Sequence, residues 1–354
     1  MSNSFEAHTR FLFQLEGKTM TESYLAFGKT PWDTIGPNLL QLVLGLVAFA
    51  AIVYICFLLA SRASVKAQDW LKYLIFLVPA SLLLLIGLVY PTIRTLIMAF
   101  MDSDSQQFVG FDNFAWAFTM PEILTVLRNT AIWVLLVPLF ATALGLAIAY
   151  MTDRMKRAAV VTSLIFMPMA ISFVGAGVIW KFVYDYQPNK FKPDIGLLSA
   201  ITKALGMTPP NWLLEAPVNT LLLIVVMIWI QTGFAMVVLG AAMKNVPDEV
   251  VEAAMLDGAK PWARFIRITL PMIRSTIVVV LTTTMIGTLK VFDIVRTMTG
   301  GNFSTSVIAN EMYSQSFRAM DYGHGSALAI ILFVGCLPII AYNIRQLRLE
   351  RTER

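Results

Sequence analysis

The stretch EAAMLDGAKPWARFIRITLP, Glu252 to Pro271, lies between two apolar segments, 220–242 and 272–294, yet is itself polar, rich in small residues and punctuated by glycine and proline. Its flanks decide the fold. Roughly 20 apolar residues suffice for a helix to cross ~30 Å of hydrocarbon, and each flank reaches that length. A polar insert between two such segments has to leave the bilayer, so the chain is threaded through a membrane on either side of it.

Working outward, apolar windows separated by polar gaps predict seven spans: Leu39–Ala60, Leu71–Met98, Thr130–Tyr150, Val160–Trp180, Thr220–Ala242, Met272–Ile294 and Ser326–Tyr342. Composition agrees. The 354 residues are 57% hydrophobic and 14% charged with mean hydropathy +0.70, where a soluble domain carries about 25% charged residues. The alternation of a β-barrel, in segments of about ten residues, is absent, so the spans are helices and the fold class is an all-α polytopic membrane protein. The first span follows nearly forty mixed residues without the basic lead and small-residue cleavage site of a signal peptide, and is expected to be retained. Cys56 and Cys336 fall in different spans with no pairing pattern and read as apolar thiols.

Lys and Arg near span ends set orientation. Segments 61–70, 151–159 and 243–271, with the tail after 343, carry Arg62, Lys66, Arg154, Lys156, Arg157, Lys244, Lys260, Arg264, Arg267, Arg345, Arg348, Arg351 and Arg354. The alternate segments are poorer in basic residues; 99–129 holds Asp102, Asp104, Asp112 and Glu122 against Arg128 alone. This places the N-terminus outside, with the C-terminus and 243–271 in the cytoplasm. The net charge of +5 is largely this asymmetry, and no nucleic-acid-binding signature accompanies it.

Within 243–271, Pro247, Asp248 and Glu249 read as a helix start, with acids at the positive end of the dipole. Gly258 reads as its stop, Pro261 as the opening of a second short helix, and Pro271 as a bend into the next span. The expected product is an elbow of two helices. Ala253 and Ala254 keep one face low, while Val250, Met255 and Leu256 offer apolar contact. Two readings fit: insertion into a groove on another protein, or an amphipathic helix on the inner leaflet anchored by Trp262 and the basic residues.

Glu252-Ala253-Ala254, three residues, Gly258, nine residues and then Ile268-Thr269-Leu270-Pro271 fill every position of EAA-x3-G-x9-I-x-LP. In this the chain resembles the permease subunits of binding-protein-dependent ABC importers. FVGFDNFAWAF (Phe108–Phe118), NWLLEAP (Asn211–Pro217) and LKVFDIVRTMTGGNFSTSVIANEMYSQSF (Leu289–Phe317) narrow the resemblance to carbohydrate permeases of the maltose-transporter type. It covers most of 71–343 and implies a six-helix permease core there, preceded by an outer tail (1–38) and one extra N-terminal transmembrane helix with its linker (39–70), and followed by a basic cytoplasmic tail (344–354). The pattern departs in having Asn302 after Gly300-Gly301, where Gly-Gly-Pro is usual.

The resemblance implies that the elbow is the coupling loop, with Glu252, Ala253, Ala254, Asp257, Gly258, Leu270 and Pro271 presented to an ATPase subunit. The Glu252 carboxylate is then expected to face that partner or to brace Arg264 or Arg267. One such loop per chain and a dimeric ATPase imply a second, related permease subunit, and an extracytoplasmic sugar-binding protein is expected against 181–217 and 297–325. ATP and Mg would sit on the ATPase subunits, with no cofactor on this chain.

Polar groups inside a span are costly and mark candidate sites. The fifth span holds Gln231, Thr232 and Gly233; the sixth holds Thr282, Thr283, Thr284, Thr288, Lys290 and Asp293. Thr284 and Thr288 share a helix face. Gly233 leaves room for a ligand or for a crossing helix. The resemblance matches sugar-holding positions to Gly233, Met236, Thr284 and Thr288, and Phe292 adds a ring face suited to C–H patches of a polyol. Threonines in membrane helices also bond their own i−4 carbonyl, and that reading stands beside the first. Lys290 reads as snorkelling or paired with Asp293.

The chain has no G-x-x-x-x-G-K-[ST], and its histidines are His8 and His324 without H-E-x-x-H, so ATP hydrolysis and metal catalysis have no equipment in the sequence. No catalytic or metal-binding residue is assigned. The sequence reads as a cell-membrane permease subunit importing a neutral sugar or oligosaccharide, such as an α-glucoside. The rival is an ion-coupled secondary transporter of a small polar solute, which would want intramembrane carboxylates and paired broken helices.

Overall fold

A computed structural model of the chain describes residues 31–62, 77–153, 155–186 and 196–352. The outer tail before residue 31, the linker 63–70 with the start of the expected Leu71–Met98 span (71–76), Arg154, the middle of the 181–217 surface and the last two residues lie outside these. Among the described residues there are helices, one isolated bridge between Met101 and Phe108, and no strand. Five helices are long and apolar enough to cross a membrane, and the number reaches seven if each of two bent pairs counts as one span. The seven expected windows are matched on that count.

The chain divides into two compact units, Met1–Pro91 and Thr92–Arg354. The first contains α1 (Pro31–Arg62) and the beginning of α2 (Leu77–Met98), whose ladder widens to a π-helical turn at Leu85–Val89. The second contains the elements that position the site. After the short α3 (Asp112–Thr119), α4 (Pro121–Thr152) and α8 (Val218–Lys244) lie along one another. Their contact is close because Gly145 has no side chain: a Cβ there would sit 2.6 Å from Ala235 Cβ and 2.7 Å from the Met236 nitrogen. Small residues allow this approach between membrane helices, where dispersion rather than water exclusion drives association. Trp133 and Val137 of α4, with Leu223, Ile224, Met227 and Ile230 of α8, form the main buried cluster.

The fourth window is not one straight helix. It divides into α5 (Ala158–Phe166), a 3₁₀ turn at Met167–Ala170 and α6 (Phe173–Val183), with a bend of 103° between the halves. Ser172 caps α6 by accepting from the Gly175 N–H at 3.0 Å, which stabilises the restart. After α7 (Leu197–Ala204) and α8 come α9 (Asp248–Leu256), α10 (Pro261–Met272) and α11 (Arg274–Leu289). The expected sixth span runs on to Ile294, but α11 stops at Leu289; Phe292 caps a separate short helix, α12 (Asp293–Met298), whose Ile294, Val295 and Met298 face the main core. Thus Phe292 and Asp293 lie beyond the span that holds Thr284 and Thr288. Finally α13 (Ile308–Phe317) leads to α14 (Tyr322–Thr352), begun by Asp321, whose carboxylate accepts from the His324 N–H at 2.9 Å. His324 is also paired with Asp321 at 2.7 Å and stacks on Trp116, tying α14 to α3.

The turn at 299–306 is held by buried amides. Asn129 donates to the carbonyls of Ser304 (2.6 Å) and Ser306 (3.0 Å), and Asn219 donates to Phe303 O (2.8 Å). Gly300 and Gly301 take φ of +69° and +86°, and Asn302, where the family pattern has proline, donates to Thr299 O at 3.0 Å. The amide therefore closes the turn from its side chain.

Candidate functional site

The elbow forms as its punctuation predicts. Asp248 and Glu249 occupy the first turn of α9 after Pro247. At the other end the Ala259 N–H bonds Ala254 O at 2.9 Å and the Gly258 N–H bonds Met255 O at 3.0 Å, the paired closure of a Schellman motif, with Gly258 at φ +75°. Glycine suits that conformation because it lacks the Cβ that penalises left-handed backbone. Pro261 starts α10, and a π-helical turn at Phe265–Thr269 precedes Pro271. Proline without an N–H and a widened turn both weaken the ladder, and α10 meets α11 at 68°.

An aromatic trio fastens the elbow to the end of α4. Tyr150 lies 4.3 Å from Phe265 and 6.2 Å from Trp262, and Trp262 stacks on Phe265 at 5.6 Å. Behind them is a cavity of about 290 Å³ bordered by Asp153, Lys244, Asp248 and Arg264. The outward side of α9 is left uncovered. Ala253 and Glu252 are exposed, Ala254 is buried against the chain, and Leu256 is 90% exposed with Met255 beside it. Covering a leucine contributes about 1.5–3 kcal/mol. Among the described residues no ion pair links Glu252 to Arg264 or Arg267, which leaves its carboxylate presented outward with Asp257. Leu270 is half-buried and Pro271 exposed at the bend.

The substrate-path residues are placed differently from one another. Gly233 serves a crossing helix: a Cβ there would lie 2.7 Å from Ile165 O and 3.0 Å from Phe166 Cα, so α5 rests on it. Met236 is 2% exposed at the α4 contact. Thr288 is fully buried and donates to Thr284 O at 2.7 Å, the back-bond anticipated as the alternative. Thr284 is likewise buried, and its own hydroxyl has no hydrogen-bond partner. On the same helix Thr283 is exposed and Gly287 half-exposed, with Gln231 of α8 the nearest group to a Cβ there at 3.9 Å; Lys290, just past the end of α11, is exposed. Phe292 is partly exposed and stands 5.3 Å from Tyr313 of α13. Tyr313 had no local signal in the sequence, since its meeting with Phe292 spans a turn whose path depends on Asn129 and Asn219.

Comparison with known proteins places this geometry in a family. Residues 123–352 match the family described as binding-protein-dependent transport system inner membrane component. The osmoprotective compounds uptake permease protein GgtC of Synechocystis is 48% identical over 279 residues, covering 79% of this chain and all of GgtC. The alpha-glucoside transport system permease protein AglF of Rhizobium meliloti is 45% identical, covering 80% and 83%. A chain in the crystal structure of a bacterial ABC transporter that imports the acidic polysaccharide alginate superposes with TM-score 0.69 at 26% identity, over 79% of this chain and 96% of that one.

The chain belongs to the family of membrane-spanning permease components of binding-protein-dependent ABC importers. It is a multi-pass inner-membrane component, and the ion-coupled secondary transporter is set aside by that membership.

Proposed function

We propose that this permease imports a neutral carbohydrate, of the α-glucoside or small oligosaccharide kind, with ATP hydrolysed by partner subunits. The observation that carries the proposal is the elbow: a rigid, glycine-closed turn that holds Leu256, Met255 and the Glu252 carboxylate clear of the chain. An ATPase subunit covers that face, and its closure pushes through α10 and the 68° bend into α11. Glu252, Ala253, Ala254, Asp257 and Gly258 form the docking surface, with Leu270 and Pro271 the joint. ATP and Mg belong to a dimer of such ATPases, and a second, related permease completes the pore. In this reading the elbow end is cytoplasmic with the C-terminus, the N-terminus is outside, and α1 is extra to a six-helix core over 71–343.

Solute moves along α8 and α11, where Gly233 and Met236 set the helix spacing and Thr284 supplies a polar contact, Thr288 being committed to the Thr284 carbonyl, while Phe292, just past α11, supplies a ring face. The carbohydrate class is supported by AglF and by the alginate importer, which has also been crystallised in complex with an alginate pentasaccharide-bound periplasmic protein. A binding protein of that kind delivers solute to 181–217 and 297–325. Uptake of labelled α-glucosides into liposomes carrying the assembled transporter tests the proposal. Transport that requires internal ATP and external binding protein supports it; transport driven by an ion gradient alone refutes it.

A further inference from the structure

Between the end of α6, the segment 211–213 and Thr297 of α12 opens a cavity of about 570 Å³, wider than the one behind the elbow. It falls within the roughly 300–1,000 Å³ of small-molecule sites. In the orientation proposed above it lies at the outer end, where solute is delivered. Its walls are fixed from behind. Tyr184 is buried, with its hydroxyl donating to Leu222 O at 3.1 Å and its ring 5.1 Å from Trp180, which packs in turn on Trp229 of α8. Trp212 Nε1 donates to Ser199 Oγ at 3.0 Å and Ser199 donates to Asp185 O at 2.7 Å, so 211–213 is tied to the chain leaving α6. Lys181 Nζ donates to Thr297 O at 3.3 Å, and a Cβ on Gly177 would lie 3.1 Å from Thr297 Cβ, so α6 and α12 meet closely.

That frame presents groups with hydrogen bonds to spare. Asn211 and Tyr186 line the cavity half-buried, open to it rather than sealed, and among the described residues neither the amide nor the phenol hydroxyl has a protein partner. An amide and a phenol each donate and accept, as a sugar hydroxyl does. Phe182 and Tyr186 add ring faces suited to C–H patches. Lys181 and Asp185 bring one charge of each sign, which favours a neutral ligand over an acidic one. We infer that this cavity is an outer sugar-entry site, holding one neutral sugar unit between its delivery and its passage into the spans; the inference rests on the carbohydrate reading above. Because the walls are already fixed, little ordering is lost when the sugar arrives.

The test first uses uptake of maltose, trehalose and sucrose into liposomes bearing the assembled transporter to identify a transported α-glucoside. That sugar, ¹³C-labelled, is then titrated against the transporter in nanodiscs without nucleotide or binding protein, and binding is read from the sugar's NMR linewidth. Wild type should bind with a dissociation constant of millimolar order, weak enough for onward release. Asn211→Leu and Tyr186→Phe nearly keep the side-chain volume and should each weaken binding about threefold to tenfold, the loss of one neutral hydrogen bond. Val178→Trp, at the 43% exposed rim, should weaken it most by occupying the space, and it reports even where a polar variant fails to assemble. A wild type that transports the sugar but shows no binding overturns the site alone, as does binding left unchanged in all three variants. Unchanged binding joined to a raised binding-protein requirement for uptake overturns it too, assigning the cavity to a side chain of that protein. A wild type that moves none of the three sugars removes the carbohydrate reading and the site together.

Discussion

Replacing Gly258 by valine should uncouple ATP hydrolysis from transport while leaving the chain inserted and folded. Gly258 sits at φ +75°, where a β-branched residue is strained, and a Cβ there would meet nothing within 4 Å. The cost is therefore one of backbone conformation rather than of space. Left-handed backbone costs an L-residue about 1–2 kcal/mol, and valine belongs at the upper end. At about 2 kcal/mol the closed elbow becomes roughly thirtyfold less populated relative to alternatives that release the Ala259–Ala254 bond. The assay is sugar moved per ATP hydrolysed in liposomes, expected to fall by up to that factor, the full value applying where the closed elbow is only marginally favoured to begin with. Gly258→Asn is the control, because asparagine is close to valine in size and tolerates the left-handed region. Near-normal coupling in Gly258→Asn with failure in Gly258→Val supports the backbone argument. Normal coupling in Gly258→Val refutes it, and equal failure in both variants would mean that bulk against the partner is what matters.

Other expectations follow from the packing and the pore. Thr284→Val should slow sugar uptake about threefold to tenfold, the range of one neutral hydrogen bond, whereas Thr288→Val should stay within about twofold because its hydroxyl is already committed to Thr284 O; initial rates that reverse this order would move the contact elsewhere. Asn129→Ala strips the donors from Ser304 O and Ser306 O, costing about 2 kcal/mol, and should lower the apparent Tm in detergent by several degrees and speed proteolysis within 299–306. Gly145→Val must force α4 from α8 and should sharply reduce recovery of folded protein, while Gly240→Ala on the same pair, with Ala149 Cβ at 3.7 Å, should be tolerated. Equal thermal stability of those two variants would contradict the close approach.

What could be read from residues alone was what depends on local chemistry. The elbow was legible because Gly258 and Pro261 act on their own backbone, and the Thr284–Thr288 back-bond because four residues make one helical turn. The 103° break between α5 and α6 was hidden, since Val160–Trp180 is apolar throughout and hydropathy does not register direction; Pro168 and the capping Ser172 were its marks. The end of α11 before Phe292 has neither proline nor a side-chain cap to announce it. Whether Gly233 admits a ligand or a helix was decided by Ile165, 68 positions away, and the meeting of Phe292 with Tyr313 by a turn pinned from two other helices. Such facts belong to packing, which periodicity does not encode.

Docking of an ATPase on the elbow can be read from co-purification. The chain is tagged after residue 354, extracted from native membranes and compared with Glu252→Ala and Gly258→Val variants. Wild type should bring down a nucleotide-binding ATPase together with a second permease, and the ATPase should be reduced or lost in the variants. A wild-type chain recovered alone, or an ATPase retained undiminished in both variants, would contradict docking at the elbow.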